Sequence, residues 1–405
     1  MKRITFLMLL FFLAALTGCR KTNPTSFPDS YKNVLVIYSS GYNNLSGPLA
    51  TDIEFELAKG EVPDKSSRNA IVIFSHSAPY GGPYSSGDSQ YYTSRGDYET
   101  NTDPVLIRLY KDNGTARLDT VKRYGNTFNE VLPENMSQVL SDIKMLCPSE
   151  HYGLLYTSHG SAWMPPQKKA KLKSVGAHYN GSPTDRDETD IIDFAKAIPM
   201  RLDYIIFDAC YMGAVEVAYQ LRSCCSYFVG SATEIPNSGF DYVNLAQRVF
   251  SSGGAQLKDV CDDYLRVSSM GGIIALVECA KLDALAAEVA ALVDKYRDNL
   301  YKISEDGNRA TVQKYWCSSE YKYFYDLEDI FHHVGATDQE LANLTKSIES
   351  AVIYENHTDI FSQGPVYLEN CCGLSMYLPS NDPSFSSANN YYKTLDFNAA
   401  TKLVK

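Results

Sequence analysis

The sequence predicts an α/β fold built on a mostly parallel sheet with helices on both faces. Two observations carry this. Short runs rich in β-branched residues alternate with amphipathic helical runs up to about residue 242. The strand-like runs are also apolar at nearly every position, which requires burial on both faces of the sheet.

The elements follow in order. "NVLVIYSS" (33–40) is a first buried strand. "LATDIEFELAKG" has helical spacing and a glycine stop. "NAIVIFSHS" is a second buried strand, and "PVLIRLYKDNGTARLDTVKRYG" alternates around Asn113-Gly114, the signal of a hairpin. "TFNEVLPENMSQVLSDIKML" reads as helix, "YGLLYTSHG" as strand and "DIIDFAKAI" as helix. "LDYIIFDAC", "GAVEVAYQLRS" and "CSYFVGSAT" read as strand, helix and strand. Beyond residue 245 the chain becomes more helical, with amphipathic runs in "AKLDALAAEVAALVDKYRDNLYKI" and "DQELANLTKSIESAVIYE". A late apolar run near 373–380, "GLSMYLPS", is expected to return to the sheet. The organisation expected is thus a core over 33–245 and a helical addition over 246–405.

The amino terminus reads "MKRITFLMLLFFLAALTGC". Two cations, a short apolar run and small residues form a secretory signal over 1–18, too short to span a bilayer comfortably. Leu16-Thr17-Gly18-Cys19 resembles a bacterial lipobox, which implies lipid on Cys19 and a polar tether over 19–32. An exported protein held to the cell-envelope membrane by lipid is expected. The formal charge of −11 and the lack of a basic stripe disfavour nucleic acid as a partner. Ten cysteines in an exported chain permit disulfides, although sequence cannot give their pairing, and no paired CxxC suggests structural zinc.

In such sheets functional groups collect at the carboxyl ends of strands. Three strands end in reactive candidates: His76, His159 and Cys210. A thiol nucleophile needs an imidazole to handle protons and donors for a developing oxyanion. Cys210 is expected where a strand meets a helix start, so that the helix dipole lowers its pKa. Gly160 follows His159, and its missing side chain lets backbone N–H approach a carbonyl. With the N–H of Cys210 it forms a candidate oxyanion hole. Both histidines satisfy the strand-end criterion, and the glycine favours His159. A serine hydrolase using Ser158 or Ser161 lacks a G-x-S-x-G elbow.

"YTSHGSAW" followed by "FDACYMGAVEVA" resembles the clostripain family, the C11 cysteine peptidases of the caspase-like clan. "FVGSATEIPNSGFDY", "YFYDLEDIF" and "GLSMYLP" resemble further family segments in the same order. The resemblance implies a caspase-like α/β/α sandwich and a cysteine endopeptidase with His159 and Cys210 as its dyad. It implies cleavage after Arg or Lys, with Asp208 in the pocket for that residue and Glu234 beside it in a turn less acidic than the family's usual one. Peptides or proteins carrying Arg or Lys would be the substrates. The runner-up is a non-catalytic surface lipoprotein of this fold that binds peptide or glycan.

Between His159 and Cys210 lies a long polar stretch expected to lack regular structure. It carries Lys168, Lys169, Lys171 and Lys173. Family members are often processed between these two segments, which makes the lysines candidate self-cleavage sites. The chemistry requires no cofactor. Some family members depend on calcium, and Asp185, Asp187, Glu188 and Asp190 offer a hard-cation composition without EF-hand spacing.

Overall fold

The computed structural model describes residues 27–77, 103–165, 174–305, 308–316, 322–362 and 366–405. Cys19 and the four lysines at 168–173 therefore lie outside the described residues. Its strands are β1 (Tyr31–Gly41), β2 (Asn69–Ser77), β3 (Val105–Asp112), β4 (Thr115–Arg123), β5 (Ser149–Thr157), β6 (Val175–Ser182), β7 (Asp185–Thr189), β8 (Leu202–Asp208), β9 (Cys225–Gly230), β10 (Ile273–Glu278), β11 (Phe324–Asp326) and β12 (Val352–His357). Nine of them form one sheet in the order β12-β10-β9-β8-β5-β1-β2-β3-β4.

The five central strands, β9-β8-β5-β1-β2, run parallel, and antiparallel pairs extend both edges. Their uniform apolarity has the expected cause. Val34, Val36 and Tyr38 enter one core with Leu154, Tyr156, Ile205 and Phe207. Leu35 and Ile37 enter a second core on the other face with Leu155 and Ile206. Successive side chains alternate faces, so a strand covered on both sides must be apolar at every position. The helices Pro133–Leu146, Val215–Leu221 and Leu282–Glu305 cover the first face. Tyr242–Val249 and Leu257–Val267 cover the second. The hairpin turns at Asn113 (φ 51°) and Gly114 (φ 79°), the left-handed pair of a type I′ turn. Its outer strand β4 is polar and mostly exposed, which blunts the sheet edge.

Three expectations are corrected. The stretch before Cys210 is not without regular structure, because Val175–Ser182 and Asp185–Thr189 pair as a hairpin. "VIYENH" leaves the predicted helix after Ala351 and forms β12, where its β-branched and aromatic residues suit an edge of the sheet. The late run does not join the main sheet, since Ser375–Tyr377 pairs with β11 in a separate two-stranded ribbon. It is tied to the helix after Cys210 instead: Glu216 Oε1 accepts from Tyr377 N–H and Tyr392 O–H, both at 2.8 Å. Residues 246–405 thus supply β10 and β12 to the sheet and Leu374, Met376 and Phe397 to the same core.

Among the described residues, eight cysteines from Cys147 to Cys372 are free thiols. The sulfurs of Cys225 and Cys279 lie 3.6 Å apart. No helix among the described residues is long and apolar enough to cross a membrane.

Candidate active site

The site arises from the register of two parallel strands. Thr157, the last residue of β5, pairs with Asp208, the last of β8. His159 and Cys210 each stand two residues beyond that pair, so the ladder itself brings them to one edge. The Ser158 N–H donates to Asp208 O at 3.3 Å across the same junction. Gly160 allows the close approach, since a Cβ there would lie 2.7 Å from Cys210 O. Gly160 also bridges Val175, with Gly176 N–H donating to His159 O and Ser161 N–H to Ser174 O. Trp163 anchors this turn, buried edge-on against Tyr377 and Tyr392 at centroid distances of 5.0 and 4.8 Å. Such pairs add about 0.5–1.5 kcal/mol beyond burial.

One cavity of about 550 Å³ is lined by His159, Gly160, Asp208, Cys210 and Glu234. His159 Nε2–H donates to Asn44 Oδ1 at 2.8 Å, and its ring lies parallel to Tyr179 with centroids 6.5 Å apart. Tyr179 O–H donates to the same Asn44 oxygen at 2.6 Å. An amide oxygen only accepts, so the neutral imidazole carries its proton on Nε2 and Nδ1 is the basic nitrogen. The Ile235 N–H donates to Cys210 Sγ at 3.3 Å, and the thiol in turn faces Ile235 O at 3.7 Å.

The helix-dipole expectation for Cys210 is corrected. The next helix begins only at Val215, after a turn in which Tyr211 adopts φ 61°. The dipole acts within a turn of its helix end, so backbone donors rather than the helix face this thiol. Tyr211 O–H donates to Glu234 Oε1 at 2.7 Å, which fixes Glu234 at the cavity wall.

Asp208 is 5% exposed. Tyr242 O–H and Thr157 Oγ1–H donate to its Oδ2 at 2.7 and 3.3 Å. Burial raises its pKa to about 6, opposed by these donors and by the Phe240 N–H. It is therefore ionised at neutral pH. Gly239 (φ 56°) makes room for it, since a Cβ there would stand 2.7 Å from Oδ2.

The other candidates are spent elsewhere. His76 is 2% exposed and its Nδ1 lies 2.6 Å from Glu130 Oε2. His178 Nδ1 reaches the same oxygen at 2.7 Å, and Tyr42 stands 4.6 Å from both rings. Burial opposes charge on Glu130, yet the two imidazoles hold its carboxyl well below the usual range. His76, Glu130 and His178 are the residues whose donor atoms could hold a metal ion among those described. Ser158 is buried and donates to Ser40 O at 2.6 Å. The four acids 185–190 are dispersed. Asp187 accepts from Asn129 and Asn180, Glu188 pairs with Arg186, Asp190 caps the helix Ile191–Ala197, and Asp185 is exposed.

Residues 37–404 match the model of the clostripain family of C11 peptidases. The chain belongs to that family. Clostripain of Hathewaya histolytica is 24% identical over 433 residues, covering 90% of this chain and 78% of that protein. A structure described as an inactive zymogen of a C11 protease from Parabacteroides distasonis is similar in fold. It has a TM-score of 0.74 and 24% identity, over 93% of this chain and 99% of that one. A secreted C11 cysteine protease of Bacteroides thetaiotaomicron, solved with an irreversible peptide inhibitor, also has a TM-score of 0.74. Its identity is 22%, over 92% of this chain and 99% of that one. The family gives the class of chemistry: this chain is a clostripain-family cysteine endopeptidase with a caspase-like fold.

Proposed function

We propose that Cys210 and His159 cleave peptide bonds after Arg or Lys. The observation that carries this is a single cavity in which the thiol, the imidazole and the buried carboxylate of Asp208 meet. His159 Nδ1 takes the thiol proton, and Cys210 Sγ attacks the substrate carbonyl carbon. The N–H groups of Gly160 and Cys210 stabilise the oxyanion. His159 then protonates the leaving amine, and water hydrolyses the thioester. A cationic side chain before the cut pairs with Asp208, where exclusion of water strengthens the bond. A panel of fluorogenic peptides varying only that residue tests the reading. Arg and Lys peptides are expected to be hydrolysed; equal rates for neutral residues would overturn it.

Asn44 is a positioning residue for His159. Asn44→Ala is expected to lower kcat on the order of tenfold with KM little changed, the scale of one lost hydrogen bond. An unchanged kcat would remove it from the site.

The enzyme is further proposed to cut itself after Lys168, Lys169, Lys171 or Lys173. The zymogen state described for the Parabacteroides relative is consistent with activation by cleavage. Both flanks of that stretch are tied to the site, through Ser161–Ser174 and His159–Gly176 hydrogen bonds. The two pieces would stay joined by the β5–β8 ladder, which runs from Gly153–Tyr204 to Thr157–Asp208. Wild type should run as two bands under denaturing conditions and Cys210→Ala as one. A fully active preparation of intact chain would rule out required processing.

Export with a lipid on Cys19 completes the proposal, supported by the lipobox and by a relative described as secreted. Cys19→Ser should be released from membranes; retention of palmitate label in that variant would refute the anchor.

A further inference from the structure

Asp208 shares its pocket with a second buried acid. Asp52 lines the same cavity and is 6% exposed. Its Oδ2 has no hydrogen-bond partner among the described residues. Buried polar atoms are normally paired, so an occluded orphan carboxyl oxygen on a residue that lines a binding cavity calls for a partner.

The local backbone is built around this residue. The helical run predicted over 49–60 is not uniform. Ser46–Thr51 is α-helical, Asp52–Glu56 forms a π turn, and Leu57–Lys59 resumes the α-helix. A π turn inserts one residue into the helix and commonly marks a functional position. Ile53 and Leu57, both fully buried in the second core, hold the turn in place.

The two acids differ in what they have left to offer. Asp208 Oδ2 is already occupied by the hydroxyls of Tyr242 and Thr157, and the Phe240 N–H also bonds its carboxylate. A guanidinium carries five N–H donors and an ammonium three. Asp208 alone cannot accept them all, whereas Asp52 Oδ2 is uncommitted. Burial, with the charges of Asp208 and Glu56, raises the Asp52 pKa to about 9. Tyr242 also faces both acids and stays protonated, its pKa pushed up chiefly by burial. Burial and the mutual charge thus disfavour two carboxylates side by side, a cost that a bound cation would relieve.

We propose that Asp52 is a second specificity residue of the pocket, accepting a hydrogen bond from the guanidinium or ammonium of the residue before the scissile bond. This rests on the reading that the pocket takes Arg or Lys. The test compares wild type with Asp52→Asn on three peptides that differ only before the cut: Arg, Lys and citrulline, the neutral isostere of Arg. KM for the Arg and Lys peptides is expected to rise at least about tenfold, with kcat little changed and the citrulline peptide unaffected. Wild-type selectivity for Arg and Lys with unchanged KM in Asp52→Asn overturns this inference alone. A wild type that cleaves the citrulline peptide as well as the Arg peptide overturns the basic pocket itself. An equal loss on all three peptides assigns Asp52 a structural role and also overturns the inference. A crystal structure of Cys210→Ala with the Arg peptide reads the contact without altering Asp52. A guanidinium nitrogen within hydrogen-bond distance of Asp52 Oδ2 is expected; a guanidinium bonded to Asp208 alone overturns it.

Discussion

Cys210→Ala is expected to abolish peptide cleavage, with a loss on the order of a million-fold in kcat, the scale on which removing a covalent nucleophile disables a protease. Ser158 is buried and committed to Ser40 O, and among the described residues the cavity lining contains no other cysteine. His159→Ala is expected to cost on the order of a hundred- to ten-thousandfold, because the thiol then loses its proton acceptor and the amine its donor. The double variant should be little worse than Cys210→Ala, since the two act as one unit. His76→Ala makes the contrast. It removes one of the two imidazoles that face a buried carboxylate, so it should lower the melting temperature while leaving the chemistry in place. Loss of activity on His76→Ala with activity kept in His159→Ala would reverse the assignment.

The second large effect is selective. Asp208→Asn keeps the shape of the side chain and an acceptor for Tyr242 and Thr157, so the fold should persist. The negative charge is lost from a dry pocket. Removing one partner of a buried charged hydrogen bond costs on the order of 2–5 kcal/mol, which in KM for Arg and Lys peptides is roughly thirtyfold to several thousandfold. A peptide with a neutral residue there should be unaffected. The pH dependence has a definite sign. The Asp208 pKa is raised to about 6 by burial, so the charge that binds a cation is present above that pH and lost below it. In wild type, kcat/KM for Arg peptides should fall as pH drops through about 6, and the fall should be shallower in Asp208→Asn, which keeps only the loss from protonating the His159 base. An Arg peptide hydrolysed by Asp208→Asn at the wild-type rate would show that the pocket charge lies elsewhere.

The parallel core was legible because burial on both faces leaves a plain mark: runs such as "NVLVIYSS" and "LDYIIFD" contain no polar face. The strand ends were legible for the same reason, and with them His159 and Cys210. What remained hidden depends on contacts between distant segments. Asn44 carries no local signal; it matters because β1 lies beside β5, which brings its amide to the His159 ring. Asp52 sits in an ordinary amphipathic pattern, and only the π turn and the tertiary cavity give it a role. The choice between His76 and His159 could not come from strand position, since both follow strands. Only the tertiary structure separates them: Glu130, a residue in a connecting segment, engages His76 and His178 together, whereas His159 lines the cavity with Cys210. The hairpin over 175–189 was missed because its strands are short and polar, stabilised by pairing and by packing against Tyr42 rather than by a continuous apolar run.

The most direct test is covalent trapping by a peptidyl electrophile that ends in Arg, followed by mass-spectrometric mapping of the adduct. Eight cysteines are free among the described residues, and the reagent reads which one the pocket presents. A single adduct on Cys210 is predicted, lost in His159→Ala and competed by Arg peptides but not by neutral ones. An adduct on any other cysteine, or labelling of Cys210 that no basic peptide competes, would contradict the account.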